Sequence, residues 1–78
     1  MQKEITEFGM KIKFVLIRLG KTQEWLITKV CESTGLYFDS SYLYKIMTGK
    51  NKNRKIISAI CEVLDIQEEA QVRNIHKQ

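Results

Sequence analysis

Apolar residues return at steps of three and four from Ile5 to Leu64, and no proline interrupts them. That spacing lines up successive apolar side chains on one side of an α-helix, whereas a half-buried strand needs strict alternation. Proline would end a helix by removing an amide donor and clashing with the preceding turn. With none, and with only four glycines, the chain reads as all-α. Ile5, Phe8, Ile12, Val15, Leu16 and Leu19 form the first apolar face and predict a helix over 4–19, stopped by Gly20. Thr22 suits the cap of a second helix that opens with Gln23-Glu24. That helix buries Leu26, Ile27 and Val30, runs to 32 or 33, and has Gly35 as its stop. Leu36, Tyr37 and Phe38 form the next connection, expected to pack down onto the body.

Asp39 is the next cap, for a third helix over 40–48 with Leu43, Ile46 and Met47 inward and Gly49 at its end. A loop over 50–53 follows. Ile56, Ile57, Ile60, Val63 and Leu64 mark a fourth helix that ends near Asp65. Ala70, Val72 and Ile75 allow a short fifth helix or a frayed tail within 66–77. The expected fold is a small bundle of four to five helices around Leu16, Leu26, Val30, Leu43, Ile46, Ile57 and Ile60. No repeat or linker divides the chain, so one domain over 1–78 is expected, with its core in 4–66 and a tail over 67–78.

A chain of 78 residues supports one modest core and leaves little room for a deep catalytic cleft. Its longest apolar run, Phe14-Val15-Leu16-Ile17, is far too short for a signal-peptide core or a membrane span. A cytoplasmic protein without membrane partners is expected. Cys31 and Cys61 stand far apart in sequence, and such isolated thiols read as small, partly buried hydrophobes. His76 is the only histidine and falls in the tail. No nucleophile has an obvious base, no glycine-rich phosphate loop exists, and no ligand cluster recurs at metal spacing. Neither catalysis, nor a metal, nor a cofactor, nor a small-molecule effector is expected.

The net charge is +4, from 13 Lys and Arg against 9 Asp and Glu, and its distribution is uneven. Lys50, Lys52, Arg54 and Lys55 fall in one stretch with no acid, whereas Glu62, Asp65, Glu68 and Glu69 outnumber Arg73 and Lys77 downstream. A focused basic loop is what a phosphate backbone would select. A loop kept in solution by its lysines reads the same way, so charge alone does not decide.

Two segments taken together decide more. Thr22-Gln23-Glu24-Trp25-Leu26 is followed by Asp39-Ser40-Ser41-Tyr42-Leu43-Tyr44-Lys45-Ile46-Met47-Thr48-Gly49-Lys50. The pair resembles the helix-turn-helix of the lambda-repressor-like, or XRE, family over roughly residues 6–66. In that family a helix opening with Thr/Ser-Gln precedes a short polar recognition helix, then a glycine, a basic or polar loop and an apolar helix. The resemblance implies a sequence-specific duplex-DNA-binding protein, a transcriptional repressor or regulator of a phage or mobile element. It implies base contacts from Ser40, Ser41, Tyr44 and Lys45. It implies phosphate contacts from Gln23, Thr48, Lys50 and Asn51, and the basic stretch adds Lys52, Arg54 and Lys55. One recognition helix reads only a few base pairs, so a homodimer on an inverted repeat is expected.

This sequence departs from the family pattern in three places. The stretch between Val30 and Asp39 is roughly six residues longer than a tight helix-turn-helix crossing allows, which implies a longer second helix or a wider connection. Ile27 is bulky where a small residue is usual. Trp25 stands where the family pattern exposes a residue: it either covers the added segment 36–38 or contacts a partner or second copy. The rival function is a small helical protein-interaction module that inhibits or adapts another protein, with the lysine loop serving solubility alone.

Overall fold

The computed structural model describes residues 4–66, which form four α-helices and no strand: α1 (Glu7–Leu19), α2 (Gln23–Thr34), α3 (Ser40–Met47) and α4 (Arg54–Leu64). The possible fifth helix, the tail over 67–78 and His76 lie outside the described residues. Each helix starts at a polar cap. The side chains of Thr6, Thr22, Asp39 and Asn53 accept amide hydrogen bonds from Gly9, from Trp25, from Tyr42, and from Lys55 and Ile56, respectively. These bonds satisfy amides that have no partner within their own helix. Thr6 sets the start of α1 at residue 7, three residues later than the apolar face suggested, because its extended backbone holds Ile5 outside the helix.

The stops follow the same chemistry. Gly35 ends α2 in the left-handed conformation at φ 72°, where a side chain would be strained, and its amide donates to the Cys31 carbonyl. The long stretch between the second and third helices is therefore mostly helix: α2 runs to Thr34 and leaves only residues 35–39 as connection. Of the three apolar residues there, only Phe38 is buried; Leu36 and Tyr37 are exposed, contrary to expectation. One aromatic is enough to plug that end of the core, and the Cys31 thiol donates to the Phe38 carbonyl at 3.4 Å to hold it.

The core gathers Ile12 and Leu16 of α1, Leu26 and Val30 of α2, Phe38, Leu43, Ile46 and Met47 of α3, and Ile56, Ala59, Ile60 and Leu64 of α4. Two expectations are corrected. Ile57 is only half-buried and Ile56 takes the central place, because starting α4 at Arg54 puts residues 56, 60 and 64 on its inner side. Leu19, at the last turn of α1, reaches past the core and is exposed. Cys61 is buried and Cys31 half-buried, and neither is in a disulfide.

α2 packs most extensively on α4, and α1 lies against α3. The α1–α3 contact is close because Gly9 has no side chain: a Cβ there would strike the Met47 carbonyl oxygen and the Ile5 side chain. That same oxygen accepts from both the amide and the hydroxyl of Thr6, each at 3.0 Å. Among the described residues, no helix is long and apolar enough to cross a membrane.

Candidate nucleic-acid interface

α3 is a short helix with two unlike sides. Leu43, Ile46 and Met47 are buried behind it, while Ser40, Ser41, Tyr44 and Lys45 are exposed. Residues 40 and 44, and 41 and 45, lie four positions apart, so the four form two adjoining rows on the outward side. All four expected base-contacting residues thus share a single outward surface.

The entry to this strip is fixed by Asp39. One carboxylate oxygen accepts the Tyr42 amide at 2.9 Å, and the other accepts the Tyr37 hydroxyl at 2.6 Å. The Tyr37 bond, then the Tyr42 amide, hold the Asp39 carboxyl below its ordinary value, and the Lys45 charge acts in the same direction. The reciprocal effect of that bond and of the Asp39 charge raises the Tyr37 phenol. Tyr42 is half-buried and turns inward. Its ring packs on Phe38 at a centroid distance of 5.1 Å, and its hydroxyl accepts from the Asn53 side-chain amide at 3.0 Å.

The exit from α3 is equally constrained. Thr48, not Gly49, caps the helix. The Thr48 amide and hydroxyl both donate back to the Tyr44 carbonyl, with the hydroxyl also 3.4 Å from the Lys45 carbonyl. The single hydroxyl proton is therefore committed to the helix end, which weighs against Thr48 as a phosphate donor. The Asn51 amide returns to the Lys45 carbonyl at 3.1 Å, and its side-chain oxygen accepts the Asn53 amide at 3.0 Å. This leaves the Asn51 side-chain N–H groups pointing to no acceptor among the described residues. Asn53 joins the loop to both helices, capping α4 with its oxygen and bonding Tyr42 with its nitrogen. The sequence reading passed over Asn53; its signal was an asparagine immediately before an apolar-periodic run.

The basic stretch divides into two parts. Lys50 and Lys52 are exposed on the loop just beyond α3, with no ion-pair partner among the described residues. Arg54 and Lys55 instead start α4 and line a shallow depression with Ser33, Thr34, Ser58 and Glu62. They border the C-terminal end of α2, so the four cations do not form one continuous loop surface. Gln23 is exposed as the first residue of α2. Trp25 is half-buried against the core, and the Lys21 ammonium lies 5.4 Å from its ring centroid.

Among the described residues, no group of three or more His, Cys, Asp or Glu side chains could hold a metal ion. No family model, curated protein or solved structure matches the chain. A functional reading therefore rests on the chemistry of its surfaces.

Proposed function

We propose that this protein binds duplex DNA in a sequence-specific way, with α2 and α3 as a helix-turn-helix of lambda-repressor-like type and α3 as the recognition helix. The observation that carries the reading is the exposed Ser40, Ser41, Tyr44 and Lys45 strip, backed by buried apolar residues and followed by the unpaired Lys50 and Lys52. The recognition helix, like any α-helix, is about 10–12 Å across with its side chains. It fits a major groove about 12 Å wide, where base edges present donors and acceptors. Lys45 prefers the paired acceptors of guanine, while each serine donates or accepts and discriminates weakly. Lys50, Lys52 and the free amide of Asn51 supply phosphate contacts, and Gln23 adds one at the start of α2. Two copies on an inverted repeat double the length of sequence read. A regulator of this size acts most simply by occluding a promoter.

The test compares Lys45→Ala with the parent on the best duplex selected from a random pool and on unselected duplex, at one fixed salt concentration. The expected loss is about 1–3 kcal/mol on the selected site and much less on the unselected one. Equal losses on both refute base reading through Lys45. A second reading, a protein-interaction module, is favoured by one observation only: the exposed apolar Met10, Phe14 and Ile17 on α1.

A further inference from the structure

We infer that the outer side of α1 is a self-association surface, pairing antiparallel with α1 of a second copy. The inference stands on α1 alone and does not rest on the DNA-binding proposal. Helix α1 is amphipathic towards the core through Ile12 and Leu16, yet it carries a second apolar strip. Met10, Phe14 and Ile17 are 58%, 59% and 75% exposed. At 3.6 residues per turn they fall within about 60° of one another, on the side away from Ile12 and Leu16. The sequence reading missed this strip because the residues follow the same three-and-four spacing as the buried ones. Isolated exposed apolar residues are ordinary, but an aligned strip rimmed by charge marks an interaction site.

The charges select the partner. Along α1 the one acid, Glu7, stands in the first turn and the bases later, at Lys11, Lys13 and Arg18. A basic strip facing a parallel copy would set like against like. An antiparallel copy reverses the order. A two-fold axis midway between Lys13 and Phe14 places Met10 against Ile17 of the second copy and Phe14 against its counterpart. Glu7 then lies about 3 Å along the axis from Arg18 of the second copy, on the same flank of the contact. Arg18 is already drawn over Phe14, with its guanidinium carbon 5.7 Å from the ring centroid, and so stands at the strip's edge. Lys11 borders the contact on the flank of Arg18, while Lys13 meets its own counterpart on the other flank. That like-charge pair offsets part of the Glu7–Arg18 attraction, and the lysine stems cover apolar surface while their ammonium groups remain in water. The arrangement is self-complementary, as an isologous interface requires. A helix of 13 residues offers a strip about 20 Å long and roughly 10 Å wide, far less than the ~800 Å² per partner of a standard interface. The pairing is therefore weak and transient.

Sedimentation equilibrium of the whole chain without DNA, from about 10 µM to 1 mM, tests this directly. The weight-average mass should climb from the 9.2 kDa of the monomer towards twice that value. Phe14→Asp should remain monomeric throughout with an unchanged helical spectrum, since Phe14 is exposed and not part of the core. Glu7→Lys and Arg18→Glu should each weaken the dimer. An equal mixture of the two should associate about tenfold more tightly than either alone, because the mixed pair restores both opposite-charge contacts. A parent that stays monomeric at 1 mM overturns the proposal, as does a dimer indifferent to Phe14→Asp. A mixture no tighter than its components overturns the antiparallel register. Each of these results leaves duplex binding by α3 untouched, because no DNA is present.

Discussion

Replacing Gly9 with alanine separates the packing of this fold from simple helix propensity. Alanine in a helix interior is favoured over glycine by about 1 kcal/mol, so propensity alone predicts a more stable protein. The structure predicts the opposite. The added Cβ would meet the Met47 carbonyl oxygen, a backbone atom that cannot rotate aside, and the Ile5 side chain. α1 must then shift away from α3, straining two hydrogen bonds from Thr6 to that same oxygen. Overpacking of this kind costs about 1–3 kcal/mol, and each weakened hydrogen bond about 1 kcal/mol more. After the propensity gain is subtracted, a net loss of about 2–4 kcal/mol remains. In a domain of 60–100 residues each kcal/mol lowers Tm by about 4–8 °C. Thermal unfolding followed by circular dichroism reads this shift, and hydrogen exchange should show the Thr6 amide losing protection. A Gly9→Ala variant that melts at or above the parent temperature refutes the close α1–α3 approach.

Asn53→Ala should lower stability by about 0.5–2 kcal/mol, since it removes the cap of α4; a denaturant midpoint equal to the parent's would show that the cap is not made. Asp39→Asn and acid titration probe the entry to α3. The Asp39 carboxyl is held below its ordinary value, so its contribution is present above that ordinary value and is lost as pH falls through the lowered one. Thermal midpoints should therefore drop towards acid in the parent and less steeply in Asp39→Asn; equal slopes would remove Asp39 from the account. The raised Tyr37 phenol works at the other end of the scale, its contribution present below the ordinary phenol value and lost as pH rises through the raised one. Tyr37→Phe should flatten the alkaline fall in midpoint, and an unchanged alkaline limb would show that the bond to Asp39 contributes nothing.

The helices were legible because their signals are local. Thr22, Asp39 and Gly35 are caps and stops whose chemistry acts over three or four residues, and the inward side of α3 followed from the spacing of Leu43, Ile46 and Met47. What escaped the sequence depended on contacts between distant segments. Ile56 displaced Ile57 from the centre because Asn53 fixed the start, and so the rotation, of α4. Nothing local in the sequence marks Gly9, because its need for no side chain comes from α3 lying against it. The strip on α1 was hidden by its own periodicity, since exposure depends on which side the other helices cover. For the candidate interface, the outward strip of α3 was legible, whereas the division of Lys50 and Lys52 from Arg54 and Lys55 required knowing where α4 begins.

The most direct test of the central claim is the salt dependence of binding to a duplex of about 20–30 base pairs. Each phosphate contact contributes about −0.9 to the slope of log affinity against log salt. With Lys45 adjacent and Lys50, Lys52 and Gln23 facing outward on the same account, at least two lysine contacts per protomer should form. Titrations between 50 and 200 mM salt should show affinity falling steeply. The double variant Lys50→Ser, Lys52→Ser should lose about 1.8 from the slope per protomer. No binding at 50 mM salt, or a slope unchanged by the double variant, contradicts the proposal that this face of the molecule meets DNA.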